Sequence, residues 1–337
     1  MPFSGIEFEK YDIQFEQQME QQRIFDADKR ESILRAAVED HSDTLHRNYI
    51  GEKENRRIKI RERLKFETLN SRQWNKTLTG LQYYLDFISY ISPSINLQIH
   101  IDLKHLEAHK LENIVTLHAR VIRICNEVCC LLRGGYADGA LARCRTASEI
   151  VTIARTLKRS SELTNIRYQD WYKFRGSRIQ GGSTQSTEQL VLKYGLKELT
   201  QENGWARLEF PDLKRKISIS DLERLSDRTG NNIIREAANY EIHGGFVPRS
   251  HGLGASDLIE DFFLVGPSDT GIEIPARIAA LEASQSIINL MELGSSIGLI
   301  VYQNLILKIM TELLKDISDE KEIYEAKKAE LRRKYQK

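Results

Sequence analysis

The feature that most constrains this chain is the segment "LEAHKLENIVTLHARVIRICNEVCCLLRGG", residues 106–135. Leu111, Ile114, Val115, His118, Val121, Ile122, Cys125, Val128, Cys129 and Leu132 recur at helical spacing. Glu112, Thr116, Arg120, Arg123 and Glu127 occupy the other side. This is the pattern of a helix with a broad buried face, and Gly134 and Gly135 suit its C-terminal end. The next segment, "ADGALARCRTASEIVTIARTLKR", is apolar over most of its circumference, with a narrow polar strip of Asp138, Arg145, Glu149 and Thr152. A helix buried on most sides points such a strip at a cleft or a partner. Arg145 precedes Glu149 by four residues, the less favourable order against the helix dipole, so stabilising the helix alone does not explain the pair.

Two long buried helices need further helices around them, and the rest of the chain supplies them. Six prolines in 337 residues is few against a usual share of about 5%, and proline is what breaks helix interiors. The expected fold class is all-α: a multi-helix bundle with at most one small β-hairpin, Phe262–Val265 against Ile272–Ile274, plus a charged helical N-terminal extension. Residues 1–73 form that extension, 74–316 the main bundle and 317–337 a charged helical tail. Within the bundle, a first helix stops at Pro93 and residues 96–103 are extended. Ser220 and Glu223 form a capping box, and one long helix covers 275–316.

Composition excludes several functions. Lys plus Arg number 49 against Asp plus Glu 48, for a net charge of +1, so no global field draws the chain to nucleic acid or anionic membrane. The most basic local patch is Arg56, Arg57, Lys59, Arg61, Arg63 and Lys65, which suits either RNA or DNA phosphates or a solvated face. Cys125, Cys129, Cys130 and Cys144 read as free thiols in a reducing cytoplasm, without the paired spacing of a zinc site. His105 and His109 stand four apart but lack a third ligand. Gly176 to Ser183 resembles a phosphate loop only superficially, since Gly182 stands where a lysine is needed. Residues 290–314 are interrupted by Glu292, Gln303, Asn304 and Lys308 and read as a buried core helix rather than a span. No membrane association and no cofactor are expected.

A second polar strip lies in "REAANYEIHGG", residues 235–245. On a helix Glu236, Asn239 and His243 share one face, Arg235 is one turn from Asn239, and Ile233, Ile234, Ala237, Ala238 and Ile242 face the core. His243 then sits in the last turn, where an imidazole titrates near neutral pH.

The two strips together resemble an uncharacterised bacterial all-helical family over roughly residues 105–250. Its members carry a Leu-Leu…Gly turn, a helix with Arg-Ser/Thr-x-x-Glu, matched by Arg145, Thr146 and Glu149, and later a helix ending in His, matched by His243. Asn239 stands where Ser is usual. That family is similar to the HEPN helical bundles, many of them metal-independent RNases of toxin and anti-phage systems whose Arg…His site is completed by dimerisation. The resemblance implies a defence-associated, RNase-like homodimer. His243 would be general acid or base toward a ribose 2′-hydroxyl, Arg145 or Arg235 would stabilise the developing charge, and Asn239 and Glu149 would orient them. RNA and a protein from the same operon are the implied partners. The alternative is a non-catalytic sensor or scaffold in which these residues form a buried polar network. A third reading takes residues around 217–241 as a DNA-binding helix-turn-helix.

Overall fold

The computed structural model describes residues 31–32, 35–36, 39, 53–103, 107–179, 185–228 and 267–335. The chain separates into two compact units, Met1–Phe66 and Glu67–Lys337. In the first, Arg35 Nη2 donates to Glu31 Oε1 at 2.6 Å, and helix α1 (Lys53–Gln73) begins there.

The second unit is a helical bundle: α2 (Asn75–Leu103), α3 (Ala108–Arg133), α4 (Ala137–Arg159), α5 (Glu162–Ile179), α6 (Gln185–Tyr194), α7 (Leu196–Thr200), a 3-10 turn (Gly204–Glu209), α8 (Ile219–Leu225), α9 (Glu273–Met291) and α10 (Ile297–Tyr335). Every regular element among the described residues is helical, so the fold is all-α. Helix α9 lies at the centre and packs on α2, α3, α4 and α10. Its buried Ala276, Ala279, Ala280 and Ala283 let those neighbours approach closely. Helices α3 and α4 form as expected, with Gly135 at φ 77° closing α3. The Asn70 side chain then donates to the carbonyls of Leu132, which also accepts from Gly135 N, and of Arg133, at 2.8 and 3.0 Å. A terminus that lacks intrahelical partners is thereby capped.

Several expectations are corrected. Helix α2 runs through Pro93 to Leu103, so residues 96–103 are helical. Ile91, Ile95 and Ile99 are buried on the same face before and after the proline. Their packing offsets the lost hydrogen bond and ring clash, a cost of about 3 kcal/mol. The long helix of 275–316 is two helices. Leu293 N and Gly294 N turn back onto Leu290 O and Met291 O, and Ser296 starts α10. Ile272–Ile274, one arm of the allowed hairpin, is the start of α9; the other arm lies outside the described residues. The capping box uses Ser218 and Asp221 rather than Ser220 and Glu223.

The apolar run of 290–314 is not a buried core helix. Helix α10 touches the bundle along one stripe, Leu299, Ile306, Leu313 and Ile317, all buried. By length and composition alone Ile297–Lys334 is apolar enough to cross a membrane, and only 17% of its apolar stretch is buried. At the other end of α10, Glu320 accepts from Lys76 N and Thr77 N, at 3.0 and 2.8 Å. There Trp74 packs on Tyr324, ring centroids 4.9 Å apart. A Cβ on Gly80 would meet Leu313 Cδ1 at 2.9 Å, so α2 and α10 pack antiparallel and close.

Candidate functional site

Helix α4 positions the first expected pair. Among its residues only Gly139 and Arg159 are exposed, which fits a helix enclosed on most sides. Arg145 Nε donates to Glu149 Oε1 at 2.8 Å, with the side chains 26% and 36% exposed. The pair is therefore formed and half-buried at the bundle surface, where its ionic contribution is modest. Thr146 bonds back to Ala142 O at 3.4 Å. Arg235, Asn239 and His243 lie outside the described residues.

The basic residues of α1 belong to the first unit. Arg57, Arg61, Arg63 and Lys65 are exposed and Lys59 is half-buried, interleaved with exposed Ile58, Ile60 and Leu64, while the side chain of Arg56 lies outside the described residues. His109 engages Glu162 instead of a metal pair: its Nδ1 is 2.8 Å from Glu162 Oε1, and its backbone N–H donates to the same oxygen at 2.9 Å. His105 lies outside the described residues. Among the described residues no group of His, Cys, Asp and Glu is arranged to hold a metal.

The structure assembles a polar seam that the sequence reading missed. Arg228, just after α8, places Nη2 2.8 and 2.9 Å from the two carboxylate oxygens of Glu282 on α9, and these side chains are only 7% and 3% exposed. One turn along, Arg155 of α4 donates to Gln285 Oε1 at 3.3 Å. Next, Lys158 pairs with Glu292 and reaches Asn289 Oδ1 at 3.5 Å. The seam thus ties α4, and Arg228 beyond α8, to α9 by groups whose partners are 54 to 134 residues away in sequence. Its one sequence signal is Glu282 itself, a lone acid in the apolar run "IAALEASQSIINLM"; charges are almost never fully buried unless paired.

The thiols next to this seam are unreactive by environment. Cys125 and Cys144 are fully buried, and burial together with the Glu282 charge pushes both far above the ordinary thiol range. Cys129 is pushed up to about 11, chiefly by burial. His118, in the core, stands 2.9 Å from Ser92 Oγ through Nε2 and 3.0 Å from Ser286 Oγ through Nδ1. Burial lowers it to about 4, so at neutral pH the ring is uncharged. Tyr84, bonded to Ser284 Oγ at 2.5 Å, is raised well above its usual range by burial. These neutral groups surround the buried Arg228–Glu282 ion pair in the core.

Neither any curated protein nor any solved structure matches the chain. Residues 111–246, from the start of the buried face of α3 past His243, are similar to a family described as "Family of unknown function (DUF5677)".

Proposed function

We propose that this chain is a non-catalytic helical assembly module, a scaffold or sensor subunit whose work is to hold a partner. The observation that carries the reading is the surface of α10. Its apolar stretch is only 17% buried, with Ile297 at 80% and Val301 at 59% exposure. Monomeric proteins rarely expose contiguous apolar patches beyond a few hundred Å², and larger ones mark interaction surfaces. The test is native sedimentation of a producing-cell lysate, comparing wild type with Val301→Glu. The chain should travel in a complex larger than itself that the substitution dissolves. An unchanged profile overturns the reading.

A second reading, an HEPN-like metal-independent RNase, is supported by the half-exposed Arg145–Glu149 pair. It lies in the same family-matched stretch as His243. In it His243 acts as acid or base, with Asn239 and Arg235 beside it and the basic residues of α1 on the RNA backbone. Induced expression of wild type and His243→Ala, with total RNA inspected for fragments, decides it. Growth arrest with cleavage that vanishes in a folded His243→Ala protein establishes the enzyme; intact RNA under growth arrest removes it.

A further inference from the structure

We infer that the seam between α4 and α9 binds a small carboxylate, held by Arg155, Lys158 and Asn289. The site involves no residue of α10, whose surface carries the assembly reading above, and goes beyond that reading.

Arg155 and Lys158 stand three apart on α4, and Gln285 and Asn289 four apart on α9, so each pair shares a face one turn long. The two faces meet. Arg155 Nη1 donates to Gln285 Oε1 at 3.3 Å, and Lys158 Nζ to Asn289 Oδ1 at 3.5 Å. What remains on each side is a donor. Arg155 Nε and Asn289 Nδ2 are buried and have no hydrogen-bond partner among the described residues, and Asn289 is only 1% exposed. Turning the Asn289 amide over does not help, because Nδ2 would then face the Lys158 ammonium. Burying a donor without an acceptor is costly, and two of them on facing helices mark a place built for an acceptor. Arg143 Nε is also without a partner, but the Arg143 guanidinium is matched by Glu127. Among the described residues the Arg155 guanidinium has only a neutral amide.

Charge and donor count select the ligand. Beside the seam Arg228 is balanced by Glu282 and Arg159 by Asp227. Arg155 and Lys158 have one carboxylate between them, Glu292 on Lys158, so one positive charge is left over among the described residues. A water would accept from the two donors but bring two hydrogens of its own, while Gln285 Oε1 and Glu292 are already accepting. A group with one negative charge and acceptors alone meets both conditions. Guanidinium takes a carboxylate through two parallel hydrogen bonds, and the Nε edge of Arg155 is the one turned away from Gln285. The two oxygens of a carboxylate suffice for Arg155 and Asn289, whereas phosphate would bring more oxygens than there are unpartnered donors. The seam reaches solvent past Lys158 and Glu292, whose side chains are 15% and 45% exposed. The rest of the ligand leaves by that side.

The test is thermal unfolding and isothermal titration of the full chain with sodium acetate, at an ionic strength held constant with sodium chloride. Wild type should melt about 3 °C higher in about 50 mM acetate than in chloride, the shift that linkage gives for a site of about 1 mM affinity. Arg155→Lys keeps the charge but loses the Nε edge, and Asn289→Leu removes the other donor. Each should weaken acetate binding by on the order of tenfold or more. Arg155→Lys remains decisive if Asn289→Leu fails to fold. Equal midpoints in acetate and chloride overturn the inference and leave water on the two donors. So does an acetate response that both variants keep, since the carboxylate then binds elsewhere. A response to inorganic phosphate but not to acetate overturns the choice of carboxylate.

Discussion

Arg228 and Glu282, 54 residues apart, form an ion pair in the interior, with one guanidinium nitrogen 2.8 and 2.9 Å from the two carboxylate oxygens. Removing either partner strands a charge where water cannot reach it. Glu282→Ala or Arg228→Ala should each cost about 3–5 kcal/mol, whereas the double replacement Arg228→Met with Glu282→Leu should restore most of the loss. Urea unfolding of the three variants measures this. A loss in the double variant equal to the sum of the two single losses would mean the pair is not coupled.

His118 makes stability depend on pH. Its folded value is lowered to about 4, against an unfolded value of about 6.5, so the unfolded chain takes up the proton first. The stability is therefore complete above about pH 6.5 and falls as pH drops toward 4, by on the order of 3 kcal/mol in all. His118→Gln should flatten the fall in urea midpoint between pH 7 and 5.

Asp221 acts in a lower window. Arg215, whose nitrogens approach it at 2.6 and 2.7 Å, leads the groups that hold its carboxyl well below the usual carboxylate range, with Ser218 and Arg224 adding to it. A depressed carboxyl stabilises the fold above its unfolded pKa, about 3.9, and that contribution disappears as pH falls further. Asp221→Asn should lose the capping box and, with it, part of the steepening of acid unfolding below pH 4. Helicity followed through an acid titration reads both.

Two glycines should respond oppositely to alanine. Gly204 lies in the 3-10 turn, and a Cβ there would sit 1.8 Å from Glu198 O, a backbone atom that cannot step aside. Gly176 lies inside α5 with nothing within 4 Å. Gly176→Ala should stabilise by about 0.5–1 kcal/mol, and Gly204→Ala should destabilise strongly. Thermal melts of the two variants side by side suffice.

Helices α3 and α4 were legible because each carries its whole instruction locally: a periodic apolar face, and for α3 a pair of glycines at its end. Pro93 misled because its cost is local while the compensation, the burial of Ile91, Ile95 and Ile99, is supplied by other helices. Residues 290–314 misled in the opposite sense. Apolar composition shows that a surface seeks cover but not whether its own chain provides it. In the candidate site the Arg145–Glu149 pair was visible, being one turn apart. The Arg228–Glu282 pairing was not, since no spacing rule links residues on separate helices; only the isolation of Glu282 among alanines marked it.

Glu320 gives α10 a mechanical role. The helix rises about 1.5 Å per residue, so the carboxylate that caps the first turn of α2 is rigidly joined to the apolar patch roughly 30 Å away. A rod pressed at one end moves at the other. A partner that tilted α10 at Val301 would act on the two amides at the start of α2 and on the Trp74–Tyr324 contact beside them.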